Sequence, residues 1–488
     1  MNALDILQLL SPELILALTG FVVVSVDLAM RRRDEGRTAA TIALLGLGGA
    51  LVATLLLAFA GTSTVEAFTL AIDPYSLFFK ALAIVSVGLV ILASISFMRG
   101  KSRYLGEYYA LLVFAALAIS LAVSATNLVM VYLGIEFLSI TSYILASYFR
   151  QDLRSQEAGV KYFLYGAVAG AVMLYGISLL YGATGSVDLA TVGALFSAEG
   201  DQRLLGIAAI ILLLAGFGFK ASLVPFHQWA PDTYEGAPTP ITAFLSTASK
   251  AAGFAVAGRV FMVALPNLVA DWTAILGSLA ILSMTLGNLV ALKQTNLKRL
   301  LAYSSIAQAG YIVLGLAALN PGGDFDGVGG LLIYLLAYLF TNIGAFLVVM
   351  AIEQHSGSVD LAAYNGLIKR APALALWMTL FLLSLAGIPP LAGFFGKFFV
   401  FAAVVERNLL TLAAIAAVNA VVAAFYYLNI VRAMFFVESE EQKPVSVAAG
   451  LSAALAISGI MVLVIGIAAQ PFITWISRSV EMVLVSGM

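Results

Sequence analysis

Apolar runs of about twenty residues follow one another along almost the whole chain, and nothing else in it restricts folding as severely. A run that long crosses the roughly 30 Å hydrocarbon core of a bilayer as a helix. About fourteen can be marked, near 10–30, 38–60, 74–98, 107–124, 126–149, 158–182, 204–229, 240–264, 271–293, 300–319, 328–353, 373–404, 410–436 and 448–477. They lack period-2 alternation, which excludes an outer-membrane barrel and leaves helices, which satisfy their own backbone groups in lipid. The expected fold class is an all-α polytopic membrane protein. With 62% hydrophobic and 10% charged residues among 488, and a mean hydropathy of +1.03, a set of soluble domains is excluded.

What lies between the runs limits function. No stretch outside them exceeds roughly twenty residues, so there is no room for a nucleotide-, haem- or flavin-binding domain. Cysteine is absent and there are two histidines, so neither iron–sulfur ligation nor another metal site is expected. The chain is expected to hold no cofactor and to take no nucleic acid as partner. Arg31, Arg32, Arg33 and Arg37, then Arg99, Lys101 and Arg103, then Arg150 and Arg154 fall in odd-numbered loops, whereas even-numbered loops and the tail offer Arg203, Arg407 and Arg478. By the positive-inside rule both termini face outward. The loop 230–239 departs from this pattern, with Asp232 and Glu235 and no base. The N-terminus carries Asp5 and Glu13 in place of a basic signal region, and its first span is expected to be retained.

Within the apolar runs stand three lysines, Lys220, Lys250 and Lys397, and one comparably deep acid, Glu136. A charge at bilayer depth costs about 2.5 kcal/mol or more, and such residues mark paths for ions or protons. Burial disfavours the ammonium form of a lysine and a nearby carboxylate restores it, so moving a partner charge can load or unload a proton. The seventh run has Gly216 and Gly218 before Lys220 and Pro225 after it; the twelfth has Gly387, Pro389, Pro390, Gly393 and Gly396 before Lys397. Both are expected to break there, each with a wet cavity beside its lysine. A packing kink with a snorkelling lysine, and a static Glu136–Lys220 pair that fixes helix packing, stay open as the plainer readings. Lys250 lies in an unbroken run behind Ser246, Thr247 and Ser249, a face able to hold a water chain. His227 is a relay candidate, with a loop-packing role equally open. Lys80 and Lys161 read as snorkelling near span ends, and Arg259 as a helix-orienting or locally paired residue.

The segment around Arg259 echoes that around Arg432 at an offset of about 173, and Lys220 and Lys397 lie about 177 apart. An odd number of spans per unit would make such a repeat inverted. Under that shift Glu136 falls near Gln308 and Tyr311.

Three stretches, HQWAPDTYEGAPTPITAFLSTASKAAGF, LKQTNLKRLLAYSSIAQAGYIVLG and LSLAGIPPLAGFFGKFFVF, resemble signature segments of the antiporter-like membrane subunits of respiratory complex I, most closely the N-type subunit of NADH:quinone oxidoreductase, subunit 2 of mitochondrial and plastid enzymes. The resemblance covers nearly the whole chain. It implies fourteen helices in two inverted five-helix repeats with discontinuous helices 7 and 12, and a division into 1–106 (three helices), 107–264, 265–436 and 437–488. It also implies that Glu136, Lys220, Lys250 and Lys397 form a proton relay. On this reading the chain is the non-redox, proton-pumping subunit of a quinone-reducing translocase in a bacterial inner membrane. Its neighbours are other antiporter-like and small K-type subunits, and flavin, iron–sulfur clusters and quinone belong to partner subunits. A subunit of a multisubunit cation/proton antiporter, and a scaffold with a vestigial path, are the alternatives.

Overall fold

A computed structural model describes residues 3–30, 36–60, 65–197, 199–320, 323–439 and 443–486; the bases Arg31, Arg32 and Arg33 lie outside them. In chain order the helices are α1 (Ala3–Leu9), α2 (Ser11–Ala29), α3 (Arg37–Phe59), α4 (Pro74–Phe97), α5 (Leu105–Ser124), α6 (Leu128–Ala146), α7 (Leu153–Thr184), α8 (Leu189–Leu195), α9 (Gly200–Ala221), α10 (Trp229–Gly236), α11 (Thr239–Phe244), α12 (Lys250–Ala264), α13 (Val269–Ala291), α14 (Leu297–Ala317), α15 (Gly327–Ser356), α16 (Leu367–Arg370), α17 (Pro372–Ala386), α18 (Ala392–Glu406), α19 (Leu410–Phe436), α20 (Ala449–Ile467) and α21 (Gln470–Ser486). A small antiparallel hairpin, β1 (Val65–Ala67) and β2 (Leu70–Ile72), precedes α4.

Twelve described helices are long and apolar enough to cross a bilayer. The other two expected spans are composite. Residues 239–264 form α11, a π-helical turn (Leu245–Ser249) and α12; residues 372–406 form α17 and α18 with a break between them. The last expected span, 448–477, is two helices, because α20 ends at Ile467 and the amphipathic α21 lies across α4, α12 and α15.

Helix starts follow the local chemistry. Asp73 and Ser76 close a capping box at α4, with the Ser76 N–H donating to Asp73 Oδ1 at 2.7 Å and Pro74 supplying a first-turn residue that needs no donor. Asn127, Asp152, Asp188, Asn296 and Asp326 cap α6, α7, α8, α14 and α15 through their side chains. At the centre stands α15, apolar on every side and buried from Gly330 to Ile352, touching α4, α11, α14, α17, α18 and α20.

Two identical latches reveal the internal repeat. Thr126–Asn127–Leu128 ahead of α6 pairs with Val187–Asp188–Leu189 after α7, through Leu128 N–H to Val187 O (2.8 Å) and Leu189 N–H to Thr126 O (2.9 Å). Thr295–Asn296–Leu297 ahead of α14 pairs in the same way with Val359–Asp360–Leu361 after α15, at 2.8 and 2.8 Å. Each return follows a glycine in the left-handed region, Gly185 (φ 70°) and Gly357 (φ 69°), where a side chain is disfavoured. The Arg259 and Arg432 echo, by contrast, is not reproduced in surroundings. Arg259 is buried and makes a bidentate pair with Asp73 (2.7 and 2.9 Å), well outside its own repeat, whereas Arg432 is exposed.

Candidate functional site

The break in the seventh span falls at 222–228, after the lysine, so Gly216 and Gly218 lie inside an unbroken α9. Ser222 turns the chain at φ 58°, and the freed backbone groups find protein partners. Trp229 Nε1 donates to Phe219 O at 2.9 Å, and Val224 N–H donates to Ser283 Oγ at 2.9 Å. Lys220 Nζ donates to Ser139 Oγ (3.1 Å) and Tyr162 Oη (3.4 Å), and the Tyr162 ring stacks on Trp229 with centroids 4.2 Å apart. Glu136 stands one turn before Ser139 on α6, half-buried, its carboxylate lying over Gly170 of α7. Among the described residues Glu136 and Lys220 form no direct ion pair, and Ser139, one turn along α6 from Glu136, is the residue that meets the ammonium.

Lys250 opens α12 directly behind the π-helical turn, which corrects the expectation of an unbroken helix there; such turns cluster at functional sites because they re-aim side chains. Its ammonium donates to Ser305 O at 2.8 Å and to Ser305 Oγ on α14. The neighbouring hydroxyls are already engaged. Ser246 and Thr247 donate back to Ala243 O (2.9 and 2.7 Å), Ser246 accepts from Asn342 Nδ2 (2.7 Å), and Thr247 shares a hydrogen bond with Ser86 (3.1 Å). They bind α12 to α4 and α15 instead of presenting an open face to water. One turn on, Gly253 lets α9 approach so closely that a Cβ there would sit 3.1 Å from Lys220 Cβ. Lys220 and Lys250 thus stand on neighbouring helices, α9 and α12, with their ammonium groups turned to different partners, Ser139 and Tyr162 for the first and Ser305 for the second.

In the twelfth span the break, 387–391, comes before the lysine. Gly387 (φ 89°) ends α17, and Lys397 Nζ turns back to donate to Leu385 O and Ala386 O, both at 2.9 Å, over the Tyr311 ring at 5.0 Å. The freed carbonyls are thus met by the lysine itself, where a wet cavity was expected. Gln308 Nε2 donates to the same Leu385 O (3.1 Å) and to Tyr427 Oη (3.0 Å); Gln308 Oε1 accepts from Tyr334, and Tyr427 pairs with Ser304. Lys250 thus reaches Ser305, and its chain neighbour Ser304 begins a separate hydrogen-bonded run through Tyr427, Gln308 and Leu385 O to Lys397. Sequence reasoning missed Tyr162, Ser304, Ser305 and Tyr427. Gln308 and Tyr311 it touched without using: under the repeat shift they match Glu136, and in space they stand beside Lys397 as Glu136 stands near Lys220.

Other expected residues lie elsewhere. His227 sits half-buried in the 222–228 turn and joins none of the lysine hydrogen bonds described. Lys80, expected to snorkel, is instead buried against Glu13 in the first turn of α2 at 2.7 Å. Lys161 is partly exposed, as expected, and with Arg299 clasps Asp232 (2.6 Å to each), while Arg299 also holds Glu235 (3.0 Å). The acid-only loop is neutralised by bases from α7 and α14. Burial pushes the Asp232 carboxyl up, but the hydrogen bonds and charges of Lys161 and Arg299 prevail and hold it below its ordinary value.

Residues 125–423 match the family described as NADH:quinone oxidoreductase/Mrp antiporter, TM. The chain is 43% identical to the NADH-quinone oxidoreductase subunit N of Heliobacterium modesticaldum, over 95% of this chain and 97% of that one. It is 41% identical to the subunit N of Moorella thermoacetica, over 97% and 98%. Among solved structures, a chain of respiratory complex I from Thermus thermophilus superposes with TM-score 0.81 at 35% identity, covering 95% of this chain and 98% of that one. A chain of the Mrp complex from Dietzia shares the fold at TM-score 0.86 and 20% identity, over 99% and 100%. Sequence similarity across nearly the full length of both bacterial relatives, with the same helical architecture, makes this chain a member of the NADH-quinone oxidoreductase subunit N family.

Proposed function

We propose that Lys220, Lys250 and Lys397 relay protons through this chain, and that it works as the redox-inactive pumping subunit of an NADH:quinone oxidoreductase, assembled with other membrane-arm subunits in a bacterial inner membrane. The observation that carries the reading is the run of buried polar groups between Lys250 and Lys397, with Lys220 on the neighbouring α9, its Cβ against Gly253 of α12. The amines and hydroxyls of the run can pass or accept a proton, while the Gln308 amide and the Leu385 carbonyl hold and orient them. Glu136, one turn from the Ser139 that meets Lys220, supplies a charge whose change of state would alter proton affinity at the first lysine. Moving one charge against 100 mV requires about 2.3 kcal/mol, so the driving reaction is quinone reduction in partner subunits. The distribution of bases among the loops supports both termini on the outer face.

Lys250→Met removes the amine while nearly preserving volume. In the assembled complex it should abolish proton uptake coupled to electron transfer, and Lys250→Arg should fail as well, because guanidinium does not release its proton near neutral pH. An unchanged proton-to-electron ratio in Lys250→Met overturns the relay. Sodium-dependent exchange without quinone reduction would instead favour the cation/proton antiporter reading, which the shared family description keeps in view.

A further inference from the structure

Two adjoining cavities lie where α4 meets α5 and α6 meets α7. The larger, about 940 Å³, is lined by Lys101, Arg103, Tyr104, Tyr148, Arg150 and Asp152. The other, about 570 Å³, is an open groove between α6 and α7 lined by Tyr143, Ile144, Tyr148, Arg150, Val160 and Phe163. Tyr148 and Arg150 belong to both, so a charged chamber opens into an apolar channel that runs along the membrane-facing surface.

Three bases face one acid in the chamber, and Asp152 is engaged in capping α7 through Arg154 N–H at 2.9 Å. Two of the bases are held in place by rings. Lys101 Nζ stands 3.5 Å from the Phe97 centroid, and the Arg150 guanidinium lies 4.6 Å over Tyr104, whose carbonyl accepts from Tyr148 Oη. In the groove Ile144, Val160 and Phe163 are about half exposed in this chain, on helices long and apolar enough to cross a bilayer.

We propose that the two cavities form one site for an anionic phospholipid, its phosphate among Lys101, Arg103 and Arg150 and an acyl chain along the α6–α7 groove. Charge complementarity selects this occupant. A soluble anion would leave the groove uncovered, a neutral lipid would leave the bases unanswered, and an apolar protein segment would do the same. Basic pockets between transmembrane helices are suited to such headgroups, and each base near the headgroup contributes about 1 kcal/mol, or about fivefold in affinity. The site also borders the lysine axis. Tyr143, in the groove wall, meets Tyr162 edge-to-face at 4.8 Å, and Tyr162 touches Lys220. An acyl chain there packs one ring away from the first lysine.

The test uses the whole complex containing this chain, in phosphatidylcholine vesicles with a trace of photoreactive phosphatidylglycerol. Its readout is bound lipid, so the result does not depend on the proton relay. Cross-links should fall within 143–163 and be displaced by unlabelled phosphatidylglycerol but not by phosphatidylcholine. Arg103→Gln and Arg150→Gln should each weaken labelling about fivefold, either variant standing as the check should the other not assemble. Labelling unchanged in both variants overturns the proposal. So does equal displacement by phosphatidylcholine, displacement by inorganic phosphate, or capture of a neighbouring subunit by a photoreactive residue placed at 148.

Discussion

A lysine buried in hydrocarbon needs oxygen atoms around it, and here the oxygens are mostly neutral. Lys250 rests on Ser305, Lys397 on two carbonyls, and Lys220 on two hydroxyls with Glu136 at a distance. Glu136→Gln therefore breaks no ion pair. The variant should assemble at ordinary levels in membranes, judged by the amount of purified complex, while pumping is impaired. Arg259 is the opposite case: Asp73→Ala strands a buried guanidinium and should cost about 3–5 kcal/mol, read as loss of assembled complex. Gln308→Leu should keep the fold but slow proton delivery on the order of 10²-fold, measured as pumping at constant quinone reduction, since it cuts the link between Tyr427 and Leu385. At the loop, the depressed carboxyl of Asp232 means its clasp is complete above the ordinary carboxyl range and is lost only as pH falls through the lower folded value. The lysines themselves were legible in the sequence because charges inside apolar runs stand out. Their partners were not: serines, tyrosines and a glutamine in a membrane helix look like ordinary polar spacing until the helices are packed.

At the scale of elements, glycine and proline gave away that two spans break and that the twelfth breaks before its lysine, but not that the seventh breaks only after Lys220. Position depends on which carbonyls the lysine can reach, and that is set by packing. In α9 the lysine precedes the break, and in α18 it follows. The π-helical turn before Lys250 left no mark, since Leu245–Ser249 contains neither glycine nor proline. Gly387 is the position where the backbone demands glycine: φ is 89°, and a Cβ would lie 2.8 Å from Lys397 Cδ. Gly387→Ala should both strain the turn and push the ammonium off its carbonyls. The expected outcome is pumping reduced toward the level of Lys397→Met with α17 and α18 still inserted; wild-type pumping would show that this contact is dispensable.

Across the whole molecule, the repeat announces itself in short words that an arginine-anchored comparison passed over: Thr-Asn-Leu at 126–128 and 295–297, Ser-Val-Asp-Leu at 186–189 and 358–361. They are loop words, and apolar helices around them carry too little information to align. Asn127→Ala and Asn296→Ala should each lower stability by about 1 kcal/mol, additively, because the caps are distant and share no partner; thermal unfolding of single and double variants would check this. The end of α17 also matters for the charge balance of the molecule. A helix C-terminus carries roughly half a negative charge that is permanent and takes up no proton. A lysine facing a carboxylate can be rebalanced from either side, by losing its own proton or by protonation of the partner. Lys397, facing backbone, has only the first route, so its electrical state records a single proton and nothing else.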